Sequence, residues 1–275
     1  MDQLRTRRQS RWISVAAVLS ALLFLLLLIY HGPRATLTLS FSNRPARNLE
    51  IPLRVLAIGD STTRGGAADG FNSYRPSLRN LLLGSGRSID FIGSMTNGDH
   101  LDNEHEGHAG RLIKEIQAFM VEDKILLQHP NLILLHAGTN DMNSIFDLPP
   151  QDPYEEAPHR LQLLVDSVLC ECPDAVVILA RIIDNRSFQG RVRTFNAAVE
   201  QLVEARQAEG HKIWLADHSH IGGSDLGEDG VHPLINGYEK MADAWFQAVQ
   251  ELPANWIQPA REPSREHASA CKIST

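Results

Sequence analysis

The chain is poor in cysteine. Cys170, Cys172 and Cys271 are the only three in 275 residues, too few for a disulfide framework. Cys170 and Cys172 stand two apart and do not suit a mutual bridge, which leaves a pairing of Cys172 with Cys271 open. No cysteine and histidine group has the spacing of a zinc site, so no metal is expected, and no cofactor is called for. A basic excess is missing too. The formal net charge is −7, which argues against nucleic acid as a partner. Arg5, Arg7, Arg8 and Arg11 against Asp2 carry +3 of that total, leaving −10 for the remainder. No internal repeat is visible. What is present is an ordinary 43% of apolar residues, enough for one large α/β domain with extensions.

One long hydrophobic run stands out. Trp12 to Tyr30 is 19 residues without a charge, about 29 Å as a helix, close to the hydrocarbon thickness of a bilayer. Aromatics sit at both ends, and the arginine cluster before it leaves the N-terminus cytosolic by the positive-inside rule. The competing reading is a cleaved signal peptide, with the domain secreted. The run is longer than the usual apolar core of such a peptide, and no Ala-x-Ala follows it. The expected organisation is a basic cytosolic tail (1–11), a transmembrane signal-anchor (12–30), a stalk (31–52), an α/β domain (53–251) and a disordered tail (252–275). Either reading puts the domain on the luminal or extracellular side.

The domain opens on RVLAIGDSTT, Arg54 to Thr63. A mostly apolar run meets Gly-Asp-Ser and turns polar at once, which reads as a buried strand presenting Ser61 at its C-terminal edge. Ligands collect at that edge in open α/β sheets. Alternating units follow: strands over 89–93, 132–136, 175–180 and 212–216, and helices over 73–83, 111–128, 159–170, 191–209 and 235–250. Strands alternating with helices of this length predict a parallel sheet covered on both faces.

The strand ends carry chemistry. Gly59-Asp60-Ser61 follows the first strand. Glu106-Gly107-His108-Ala109-Gly110 comes after the second, opening the next helix, and Gly138-Thr139-Asn140-Asp141 follows the third. Asp229-Gly230-Val231-His232-Pro233 follows the fifth. Acyl transfer by serine needs a base for its proton, and His232 suits that role. The base needs an orienting carboxylate, and Asp229 lies three residues earlier. The N–H groups of Ser61 and Gly110 and the Asn140 amide would form an oxyanion hole. Taken singly, each piece has a plainer reading. Ser61 could cap a helix, Gly110 could be a helix-entry turn, and the Asn140 and Asp229 segments could be ordinary turns. His100, His105, His108 and His218 read as solvated loop residues.

With all four motifs at strand ends, the chain resembles the SGNH hydrolases of the GDSL-like esterase superfamily, whose four named residues match Ser61, Gly110, Asn140 and His232. Within it the chain is most similar to the carbohydrate esterases that include acetyl xylan esterases. Ser73-Tyr74-Arg75, Phe91-Ile92-Gly93-Ser94, the EGHAG and LLHAGTNDM segments, Cys172-Pro173-Asp174-Ala175, Phe195-Asn196 and DGVHP with Gly237-Tyr238 carry the likeness. The resemblance implies a three-layer α/β/α sandwich, flavodoxin-like, with five parallel strands. It also implies nucleophile Ser61, base His232 and orienting Asp229. The Thr62-Thr63-Arg64 that follows the serine departs from the larger aliphatic residue often found there. The serine is also outside the Gly-x-Ser-x-Gly elbow of α/β-hydrolases.

The expected substrate is an acylated small molecule or glycan. The loops 64–72 and 142–157 hold few aliphatics, which favours acetyl, and Phe71, Phe146 and Tyr154 are candidates to stack on a sugar. A lysophospholipase or thioesterase is the rival enzyme. A tethered, non-catalytic glycan-binding module is the rival from another class. Asn185-Arg186-Ser187 offers one N-glycosylation sequon.

Overall fold

Residues 51–143 and 152–263 are described by a computed structural model of the chain. The expected membrane span, Phe146 and the tail beyond 263 lie outside them. Among the described residues no helix is long and apolar enough to cross a membrane.

The longest apolar runs build the sheet. Strands β1 (Leu53–Gly59), β2 (Ile89–Ile92), β3 (Met95–Thr96) and β4 (Glu104–Gly107) come first. β5 (Leu132–His136), β6 (Val176–Arg181) and β7 (Ile213–Asp217) follow. Continuous apolar strands such as β5, buried at every position, are what a sheet covered on both faces requires. β1 lies parallel to β5 from Val55↔Leu132 to Gly59↔His136, and β5, β6 and β7 continue in parallel. On its other edge β1 pairs first with β2 and then, at Ile58 and Gly59, with β4. These two short strands share one place, so five parallel positions carry the expected flavodoxin-like order. The antiparallel β3–β4 pairing is an addition.

Side chains alternate between the faces of each strand. Leu56, Ile58, Ile133, Leu135, Val177 and Leu179 meet one helical layer. It comprises α3 (Ile113–Glu122), α5 (Ala157–Glu171) and α6 (Gln189–Ala208). Val55, Ala57, Leu132, Leu134 and Ile178 face α2 (Arg75–Gly84) and α7 (Ile235–Glu251), where Tyr74 and Trp245 fill the space. Two single-turn helices, α1 (Ser61–Arg64) and α4 (Thr139–Met142), follow β1 and β5 directly. The three-layer sandwich stands.

Several expectations change. The helix expected over 111–128 breaks after Glu122, where Lys124 takes a left-handed φ of 52° and starts a 3₁₀ turn. The stretch expected to be a disordered tail begins as packed chain. Ile257 is buried, Trp256 meets Trp214 edge-on, and the Gln258 and Arg261 carbonyls accept from Asn131 and Arg54. Cys172 is a buried free thiol, pushed up to about 12 by burial, so it does not pair with Cys271. Cys170 is the described cysteine in a disulfide.

His105, His108 and His218, expected in solvated loops, are buried. Burial lowers the pKa of His105 to about 3 and holds His136 and His218 below the usual range. His218 stacks near His136 and meets Trp245 edge-on. His105, His136 and His218 are neutral in the fold, whereas an unfolded histidine takes a proton near pH 6.5. Below that pH the unfolded chain binds more protons, so stability falls as the solution is acidified. His105 alone costs about 1.4 kcal/mol per pH unit, or about 2 kcal/mol between pH 6.5 and 5. His136 and His218 add with the same sign. Urea midpoints should therefore drop between pH 7 and pH 5; an unchanged midpoint would refute the buried, neutral assignment.

Candidate active site

The site begins where β1 ends. A Cβ at Gly59 would lie 2.3 Å from the His136 carbonyl oxygen and from Thr63 Oγ1, so only glycine lets β1 and β5 close there. Asp60 comes next, fully buried. Its carboxylate accepts from the Thr62 N–H at 2.9 Å, capping α1, and from the Thr139 N–H at 3.3 Å, tying β1's end to β5's. Ser61 thus enters α1 at the edge where the crossover from β1 through α2 and the crossover from β4 through α3 run on opposite faces of the sheet.

From 171 residues away, His232 Nε2 comes to 2.8 Å from Ser61 Oγ. His232 Nδ1 lies 2.6 Å from Asp229 Oδ2, and the other carboxylate oxygen accepts the Val231 and His232 N–H groups. Burial alone would raise the Asp229 pKa. Hydrogen bonds from the His232 ring and those two N–H groups outweigh it and hold the carboxyl low. Asp229 is therefore an anion that fixes the proton on Nδ1 and leaves Nε2 to accept from serine. Arg186 braces this loop from below. Its N–H donates to Gly230 O, and its guanidinium donates to Glu228 O and Gly227 O.

The other two loops face the hydroxyl. Gly110 has a φ of 74°, and a Cβ at that position would meet nothing within 4 Å, so the dihedral rather than space requires glycine. The N–H groups of Ser61 and Gly110 have no acceptor among the described residues. Asn140 Nδ2 gives one hydrogen to Arg111 O at 3.0 Å, which leaves the second for the cavity. The loop before Gly110 is pinned. The His108 N–H donates to Gly59 O, its ring lies 2.7 Å from Glu106, and it stacks on Phe119. Asp141 is buried, where burial raises its carboxyl against the opposing pull of Arg160. It accepts from Arg160 and from the Ile113 N–H at the start of α3.

Ser61, Gly110, Asn140, Asp229 and His232 line one cavity of about 670 Å³, a size suited to a small ligand or a sugar. Phe71 lines it too. Tyr154 does not. Its 3₁₀ turn leads into α5, and the ring packs on the core under the Arg191 guanidinium at 4.0 Å. Asn185 is only 2% exposed, with its Oδ1 taking the Ser187 and Phe188 N–H groups, so the folded sequon has no room for a glycan. Among the described residues Glu106, His108 and Asp123 bring potential metal-ligand atoms within 4.8 Å of one another. There Glu106 is already bonded to His108 and to the Ser94 N–H. Sequence reasoning missed Asp141, Arg160 and Arg186 as supports. Asp141 stood within a quoted motif without a role, whereas Arg186 carries no local signal.

A serine hydroxyl, imidazole and carboxylate stand in hydrogen-bonded series beside free N–H donors at the carboxyl edge of a doubly wound sheet, the arrangement that acyl transfer by serine requires. The family model of the GDSL-like lipase/acylhydrolases matches residues 55–245, and the chain belongs to that family of carboxylic ester hydrolases. It is similar to the multidomain esterase of Ruminococcus flavefaciens, 27% identical over 227 residues. That match covers 72% of this chain and 28% of the relative's length. Among solved structures it is similar to a Clostridium thermocellum family 3 carbohydrate esterase. They share 27% identity and a TM-score of 0.61, over 73% of this chain and 96% of the other. A family 3 carbohydrate esterase from Talaromyces cellulolyticus shares the fold at 23% identity and a TM-score of 0.61, over 72% and 97% of the two chains.

Proposed function

We propose that the protein is a serine esterase that removes short acyl groups, acetyl above all, from carbohydrate through an acyl-Ser61 intermediate. The hydrogen-bonded series Asp229–His232–Ser61 carries this reading. His232 takes the Ser61 proton as Oγ attacks the ester carbonyl. The resulting oxyanion sits among the N–H groups of Ser61 and Gly110 and the free hydrogen of Asn140. His232 passes the proton to the departing sugar oxygen as the bond breaks. It then activates water against the acyl-serine, releasing the acid. In the proposed topology the domain works on the luminal or extracellular side of a membrane.

The cavity supports a short acyl group. Among the described residues its aliphatic lining is alanine, valine and proline, with no leucine, isoleucine or methionine, which favours a short acyl group over a lipid tail. The kinship with a family 3 carbohydrate esterase supports a sugar as the alcohol. Hydrolysis of p-nitrophenyl acetate should clearly exceed that of the octanoyl ester, and acetylated oligosaccharides should be deacetylated. A preference for octanoyl would overturn the short-acyl reading.

Asn140→Ala should lower kcat about 10²–10³-fold, with KM little changed, as for loss of one oxyanion donor. A loss confined to KM would instead assign Asn140 to ground-state binding.

A further inference from the structure

Among the described residues that line the cavity, Arg64 is the one lysine or arginine. It closes α1 three residues after Ser61, and side chains at that spacing share a helix face, their Cβ atoms about 5–6 Å apart. Among the described residues its guanidinium has no carboxylate partner. It rests instead over the Phe71 ring, 4.9 Å from the centroid. The two carboxylates of the cavity are already occupied. Asp229 holds His232, and Asp69 accepts the N–H groups of Gly66, Phe71 and Ser73. Those bonds keep Phe71 at a φ of 60° and Ser73 at 58°, conformations that bulky residues rarely take. The loop is thus held so that an aromatic ring lies under a cation beside the nucleophile. A planar guanidinium in this setting is organised for bidentate pairing with an anion.

We propose that Arg64 selects esters on acidic sugars, receiving a substrate carboxylate in the cavity while Ser61 attacks the neighbouring acyl group. This rests on the esterase reading above and adds the class of sugar. A neutral sugar would need only hydroxyl partners and leave the charge unused. A phosphate-headed lipid would satisfy the charge, but the described lining offers its chain no leucine, isoleucine or methionine to pack on.

The test compares two acetylated sugars alike in shape, a methyl O-acetyl-glucuronoside and its uncharged glucuronamide. The wild-type protein should favour the carboxylate by roughly ten- to a hundredfold in kcat/KM, as expected for a charge-assisted pair. The preference should shrink as salt is raised. Arg64→Gln should bring the ratio to about one, and Arg64→Lys should restore part of it. Equal rates on the two sugars in the wild type would overturn the proposal and leave the esterase standing. So would a ratio that Arg64→Gln leaves intact, or a preference for a lysophospholipid. Hydrolysis of neither sugar would remove the acetyl-sugar reading and this one together. The wild-type ratio and its salt dependence decide the matter even if the variants fold poorly.

Discussion

Ser61→Ala is expected to abolish ester hydrolysis and covalent labelling by a fluorophosphonate together, with kcat falling by about 10⁴–10⁶. The expectation follows from roles rather than from any one bond. Without Oγ, His232 has no proton to take and the acyl group has nowhere to rest. What remains is whatever the oxyanion donors and the cavity do for direct attack by water. His232→Ala should fall by a similar factor, and the double variant by little more, because the two residues act as one unit. Asp229→Asn should lose less than either. Its remaining oxygen can still accept the Val231 and His232 N–H groups, but the anion that stabilises the imidazolium is gone. None of these changes should cost much stability, since Asp229 and His232 are half-exposed and Ser61→Ala removes a single atom. Labelling that survived in Ser61→Ala would place the nucleophile elsewhere and sink the assignment.

The parts of this protein that the sequence announces are those where local pattern and tertiary setting agree. β5 and β6 are unbroken apolar runs, and nothing in them competes with burial in a parallel sheet. The four loop motifs are legible for a related reason. Each places glycine or a small polar residue where a buried strand must end, so chemistry and turn share a signal. The failures have physical causes as well. Glu104–Gly107 reads as polar loop because strand propensity disfavours glutamate and glycine. It becomes β4 because Ser94 and His108 satisfy Glu106 in the interior, contacts invisible to any local window. Pro253–Glu262 reads as disordered from composition. Trp256 and Ile257 nevertheless find Trp214 and the core, and the Gln258 and Trp256 carbonyls accept from Asn131 and Lys212. Asn185 reads as a glycan acceptor because a sequon says nothing about burial. For β4 and the tail alike, the deciding partners lie beyond the reach of local pattern.

Arg75 gives the second large expectation, and it joins stability to catalysis. The resemblance marks Ser73-Tyr74-Arg75 without showing why arginine stands there. In the structure Arg75 is fully buried at the start of α2. Its guanidinium donates to four carbonyls: Asn103 at 2.6 Å, Phe71 at 2.9 Å, Asn97 at 3.1 Å and Arg64 at 3.2 Å. Burial lowers its pKa to about 10, with Tyr74 and Asp69 pulling the other way, so it remains a cation at neutral pH. Arg75→Met would recover the cost of burying that charge but strand the carbonyls, each unsatisfied group costing about 1–3 kcal/mol. The net loss should reach about 3 kcal/mol or more. Lysine, with one ammonium for acceptors set around a planar fork, should rescue little of it. The consequence for activity follows from whose carbonyls these are. Arg64 ends the turn that begins with Ser61, and Phe71 lines the cavity, so slack there moves the Ser61 helix against His232. A displacement near 1 Å can cost about 10²-fold in rate. Arg75→Met should therefore lower the urea midpoint and, in the fraction that stays folded, reduce kcat/KM for the acetyl ester by roughly 10- to 100-fold. A variant as stable and as active as wild type would show that the four carbonyls are held by something other than this side chain.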